Sequence, residues 1–253
     1  MATELSEEYK KNFEMIDVVQ ICKNVLVRIS MMDYEKDGGT SSEQLIFPKK
    51  IQAKGTKLIN RISEQELRLL FIEEFKKLYV ELFYSIETPT VYKFNFRKSY
   101  ETIKTDYKRQ SALLDMCIFE RSANVYNRIL NIEFKHKNLD IKKLGKDILK
   151  LMQEKNDGAF ILLLDNTNKG TFCNANETGV FNKLYKSFSG FQINWNNKQK
   201  SIQMIILSLK QEKLIYRTIN KTDLINLKDI FFLKNDIGNI NDINGNGWNN
   251  ETI

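Results

Sequence analysis

Residues 129–135 read ILNIEFK, and this stretch decides the fold because its apolar and charged side chains alternate. On an extended strand neighbouring side chains point to opposite faces, so Glu133 and Lys135 project together while Leu130, Ile132 and Phe134 face the other way. A second apolar run, SALLDMCIF at 111–119, carries a single charge, Asp115. A carboxylate in a buried strand is costly unless something compensates it, and a divalent cation is one such partner. Two carboxylates on neighbouring strands can chelate a hard cation such as Mg2+, and a lysine beside them can hold or deprotonate an attacking water. The intervening residues 120–128, with Ser122, Asn124 and Asn127, are short enough to join the two strands as antiparallel neighbours.

Working outward, SEQEL at 63–67 opens a helical pattern, with Leu67, Leu70, Phe71, Phe75 and Leu78 along one side. From Val91 the period changes to two, Tyr92, Phe94 and Phe96 alternating against Lys93 and Asn95, which predicts the first strand of the sheet. Residues 140–154 predict a basic amphipathic helix, and AFILLLD at 159–165 a short buried strand parallel to the Glu133 strand. Together these elements imply a mixed sheet. A helix near 178–187, an extended piece at 191–195, a strand at 202–209 and a helix within 222–232 would extend it. Upstream, the first sixty residues begin with a helical stretch, then predict a strand at 25–30 and a loop around 37–42.

An Asp, a spacer containing a turn, and then Glu-x-Lys resembles the PD-(D/E)XK nuclease superfamily, the restriction-endonuclease-like fold. The resemblance covers about 63–165 and implies an α/β fold: a mixed β-sheet flanked by helices, a restriction-endonuclease-like core with N-terminal and C-terminal extensions. It further implies a Mg2+-dependent phosphodiesterase, with Mn2+ able to substitute. The metal would be held by Asp115, Glu133, the main-chain carbonyl of Phe134 and an acid on the preceding helix, for which Glu66 is the candidate. The implied catalytic set is Asp115, Glu133, Lys135 and Glu66, with Lys135 positioning the water. Ser63 and Glu66 also fit a capping box, and Glu73, two turns along, is the alternative acid. Leu114 stands where the family name carries proline, and the helix after Glu-x-Lys lacks the glutamine and tyrosine of several members. DNA is the implied substrate in preference to RNA, in a restriction enzyme, an antiphage effector, or a repair or mobile-element nuclease. A cut duplex needs two active sites or two events, which a homodimer would supply, and an activating partner or ligand is left open.

The remaining composition narrows the alternatives. With 39 basic against 32 acidic residues the net charge is +7, which favours a polyanionic partner. Lys108 and Arg109, in a basic connection before the Asp115 strand, and Lys142, Lys146 and Lys150, a stripe of lysines at every fourth position, are the candidate nucleic-acid contacts. His136 is the single histidine, which removes His-metal hydrolases and Ser-His-Asp triads. It follows Lys135 and should point away from the Glu-Lys face, in a structural or substrate-edge role. Three dispersed cysteines, a charged N-terminus without a signal-like apolar segment, and the lack of a membrane-length apolar run predict a cytoplasmic protein. The expected organisation is an N-terminal extension at 1–60, a nuclease-like domain at 61–234 and a flexible, Asn/Gly-rich tail at 235–253. Two other classes stay open: a catalytically inactive nuclease-fold protein that binds nucleic acid or a partner protein, and a purely structural interaction protein.

Overall fold

The computed structural model describes residues 16–35, 43–51, 56, 58–137, 140–168, 170–232, 243 and 246–253; the expected loop at 37–42 lies outside them. Helix α1, Val18–Met31, opens at Asp17, whose side chain accepts from the Gln20 amide. The strand expected at 25–30 is corrected here. Although Val25, Val27 and Ile29 are β-branched, Val18, Ile21, Cys22, Val25, Leu26 and Ile29 recur at helical spacing and all are buried, so packing outweighs local propensity. A small antiparallel pair follows, β1 at Lys49–Ile51 and β2 at Leu58–Asn60. Helix α2, Glu64–Leu78, begins at the Ser63 cap and buries Leu67, Leu70, Phe71 and Phe75.

The main sheet has eight strands. In chain order they are β3 (Phe83–Phe96), β4 (Ile103–Thr105), β5 (Gln110–Ser122), β6 (Val125–His136), β7 (Asp157–Leu164), β8 (Ser201–Ser208), β9 (Lys213–Asn220) and β10 (Asn249–Thr252). Their order across the sheet is β10-β9-β8-β7-β6-β5-β3-β4. The pairs β6-β7 and β7-β8 are parallel and the rest antiparallel, so the sheet is mixed as the sequence predicts. The parallel pairs are bridged by α3 (Ile141–Gln153) and α4 (Val180–Gly190), as parallel strands require a crossover.

Alternation along β7 sorts the core into two layers. Ala159, Ile161 and Leu163 face α1 and α2 with Ile132 and Phe134, while Phe160, Leu162 and Leu164 face α3 and α4. Because α1 shares one apolar cluster with α2 and the sheet, it is part of this core. Residues 191–195, expected to be extended, instead make a 3-10 turn at Gln192–Asn194, and the helix expected at 222–232 is a 3-10 turn at Lys221–Ile225 followed by α5, Leu227–Ile230. Among the described residues no helix is long and apolar enough to cross a membrane.

The end of the tail is docked rather than loose. Strand β10 pairs with β9, and Trp248 is buried, stacking on Phe181 with ring centroids 4.7 Å apart while its indole donates to the Ile230 carbonyl at 2.8 Å. Asparagine-rich composition misleads here because Ile243 and Trp248 carry the burial that the asparagines lack. Trp248→Ala is therefore expected to cost about 3–5 kcal/mol, read from urea unfolding; a loss below about 1 kcal/mol would show that the tail does not dock.

At the C-terminus of α3, the buried Lys200 ammonium donates to the carbonyls of Leu151 and Glu154 and lies over the Trp195 ring, 5.5 Å from its centroid. Burial pushes its pKa down to about 7, with Glu154 and Asp157 pulling the other way. An unfolded lysine titrates near ~10.4, so across that window the unfolded chain holds a proton the folded chain lacks, and stability gains from rising pH. Urea midpoints of wild type and Lys200→Met should diverge between neutral and alkaline pH, wild type gaining relative to the variant; parallel profiles would refute this.

Candidate active site

The hairpin β5-β6 comes apart at the acid singled out by the sequence. Its ladder runs from the turn at Ser122↔Val125 to Met116↔Ile132 and stops, while β6 stays paired with β7 as far as His136↔Leu163 and β5 stays paired with β3 through Leu114↔Thr88. The two strands thus fork at Asp115 and Glu133. In place of the missing ladder bond, Asp115 Oδ2 accepts the Phe134 amide at 2.8 Å, which satisfies a backbone donor that would otherwise be orphaned. On the β5 limb, Lys150 Nζ from α3 donates to the Leu113 carbonyl at 2.8 Å. The fork is held open by side chains of both signs.

Four carboxylates and two ammonium groups meet there. Lys135 Nζ lies 3.4 Å from Asp115, 3.4 Å from Asp147, 3.6 Å from Glu64 and 4.0 Å from Glu133, and it donates to the Phe134 carbonyl at 2.6 Å. Lys150 Nζ lies 2.5 Å from Glu133 and 2.9 Å from Asp147. With every group ionised the cluster carries two negative charges in excess. Burial holds the Glu133 carboxyl well above the ordinary glutamate range, Lys150 only partly offsetting it. Burial also raises Glu64, against the pull of Lys135. For Lys135, burial works against the ammonium, but Asp147, Glu133, Asp115 and Glu64 outweigh it and hold its pKa above that of a free lysine. Lys135 is therefore a cation at neutral pH.

The structure brings Asp115, Glu133, Lys135 and the Phe134 backbone together, and it replaces the expected helix acid. Glu66 folds back on Ser63, the capping partner, and pairs with Arg61 at 3.0 Å; Glu73 pairs with Arg28 at 2.8 Å. Neither joins the cluster. Glu64, the first residue of α2, does. The lysine stripe on α3 is corrected as well. Lys150 is buried in the site instead of lining a solvated face, and Asp147, one turn before it, was missed as a site residue. A signal existed: Asp147 and Lys150 fall among Leu144, Ile148 and Leu151, on the helix face that the apolar spacing marks as inward.

An open cleft of about 870 Å3 runs from the fork between α3 and the β5 limb, lined by Asp147, Lys150 and Lys146 on one side and by Lys108 and Arg109 on the other. Four of the five expected nucleic-acid contacts therefore share one cleft; the half-buried Lys142 does not line it. His136 is turned away, its Nε2 2.7 Å from Asp165 Oδ1.

The chain matches no family model, and comparison with curated proteins and with solved structures gave no match. The chemistry must be read from the side chains themselves. Both oxygens of Glu133 are buried, and the nearest charge is the Lys150 ammonium, 2.5 Å from Oε1. Oxygen donors and an excess of negative charge suit a hard divalent cation. Among the described residues, no three His, Cys, Asp or Glu side chains are gathered tightly enough to hold a metal ion among themselves. The reason is visible at Lys135, whose ammonium sits in the midst of the acids and serves as their counter-charge.

Proposed function

We propose that this chain is a divalent-metal-dependent nuclease of the PD-(D/E)XK type, hydrolysing phosphodiester bonds in DNA in the cytoplasm. The observation that carries the reading is the wholly buried Glu133 carboxyl, set at a strand fork beside Asp115 and Lys135 in a cluster with more carboxylates than ammonium groups. Bound Mg2+ or Mn2+, held by Asp115, Glu133 and Glu64, would polarise the phosphate and lower the pKa of a water. Lys135, held as an ammonium by the surrounding acids, would contribute by charge and by hydrogen bonding, orienting a water or a phosphate oxygen. Lys150 fixes Glu133 and the Leu113 carbonyl, so the fork keeps its width. Lys108, Arg109 and Lys146 supply positive charge along the cleft for the phosphates that flank the scissile bond. The free, buried cysteines Cys22, Cys117 and Cys173 suit a reducing compartment. A place in restriction or antiphage defence rests on the resemblance alone.

The test is incubation of purified protein with supercoiled plasmid, single-stranded DNA and RNA, in Mg2+, Mn2+ or EDTA, beside Glu133→Gln. Cleavage that needs metal and is lost in the variant supports the reading; folded wild type that cuts none of these substrates removes it. A second reading, a nuclease-fold protein that binds nucleic acid without cutting it, is favoured by one observation: Lys135 already occupies the Phe134 carbonyl and the space among the acids. It requires salt-sensitive binding with no metal-dependent turnover.

A further inference from the structure

Resting on the nuclease reading above, we propose that the cleft takes a single, unpaired strand of nucleic acid and that Phe96 is the platform on which a base stacks. Phe96 and Phe94 are stacked at the wall of the cleft, their centroids 5.4 Å apart at 20°. Phe94 is buried, whereas Phe96 is only half covered, and the Lys146 ammonium stands over its ring 5.2 Å from the centroid. Phe96 also packs partly against the core, and the Lys146 ammonium over its ring would swing aside for a base to take its place.

Opposite it, the turn that delivers Lys108 and Arg109 is held in shape by Asp106. Its carboxylate accepts the Lys108 amide at 3.0 Å and the Asn95 side-chain amide at 3.3 Å, and its carbonyl accepts the Arg109 amide at 3.0 Å. Phe96 and the basic turn are therefore fixed relative to each other through Asn95, the residue next to Phe96. A basic groove interleaved with an aromatic face is the arrangement that binds unpaired bases, because every base has a π-face and no particular base edge is needed. The volume of about 870 Å3 lies within the range of pockets that enclose compact ligands, enough for a few nucleotides.

The experiment uses Glu133→Gln protein, so that binding is read without cleavage, and fluorescently labelled oligonucleotides of one sequence as single-stranded DNA, single-stranded RNA and duplex DNA. Anisotropy should show single strands bound about tenfold or more tighter than the duplex. Adding Phe96→Leu should lower single-strand affinity about tenfold, and Phe96→Tyr, which keeps a ring of the same shape, should restore it even if leucine disturbs folding. Lys108→Ala with Arg109→Ala should reduce the salt dependence of binding by a slope of about 0.7 for each residue. A preference for either sugar supports the inference and names the substrate. Equal or tighter duplex binding, or an unaltered affinity in folded Phe96→Leu, overturns it. If wild type cuts a duplex, the nuclease reading stands and the single-strand inference falls; if no oligonucleotide is bound or cut, both fall.

Discussion

Metal-dependent cleavage is expected to fall about a thousandfold or more in Glu133→Gln, with folding stability kept within about 1 kcal/mol of wild type. The size of the first effect follows from the charge removed: a loss of about 4 kcal/mol in transition-state stabilisation corresponds to roughly three orders of magnitude. The smallness of the second follows from burial. Glu133 is wholly enclosed, and desolvation already opposes its ionisation, so a neutral amide of the same shape relieves a cost even as it weakens the tie to Lys150. Lys150 keeps Asp147 at 2.9 Å and the Leu113 carbonyl at 2.8 Å. Cleavage rates in Mg2+ and urea midpoints, taken on the same preparation, check both halves. A variant that still cuts at near wild-type rate would remove Glu133 from the chemistry.

The opposite pattern is expected for Lys150→Met, which should cost about 3–5 kcal/mol of stability by leaving Glu133 and Asp147 buried without their shared cation. The double variant Lys150→Met with Glu133→Gln removes a charge from each side and should recover much of that loss. It should recover none of the cleavage. Chemical unfolding of the two single variants and the double variant gives the coupling energy directly; additive losses would show that the pair does not act as a unit.

What was legible in the sequence is the part governed by short-range periodicity. The alternation ILNIEFK and the lone acid in SALLDMCIF locate the hairpin and its two carboxylates, because strand geometry leaves each side chain only two directions. The antiparallel pairing of the Asp115 and Glu133 strands and the parallel pairing with 159–165 follow from connection lengths, and both are found. Charges that act across space were harder to place. Glu66 looks like a site acid and is a capping residue, while Glu64, two positions earlier, points the other way round the helix and reaches Lys135. Lys150 looks like one of a solvated row, yet its Cβ projects with Leu151 and Asp147 into the fold. Residues 25–30 are rich in β-branched side chains and are helical nonetheless, because the helix buries a complete stripe. Strand β10 depends on Trp248 finding Phe181, a contact that no local pattern announces.

The ammonium of Lys135 has one more implication. A centre whose counter-charge is supplied by its own side chain is assembled as soon as the chain folds, without waiting for an ion from solution. Folding and arming are then separate events. On the nuclease reading proposed above, the scaffold would stay whole in a metal-poor setting, and the surrounding ion concentration would be a dial on when it acts instead of a condition for its existence.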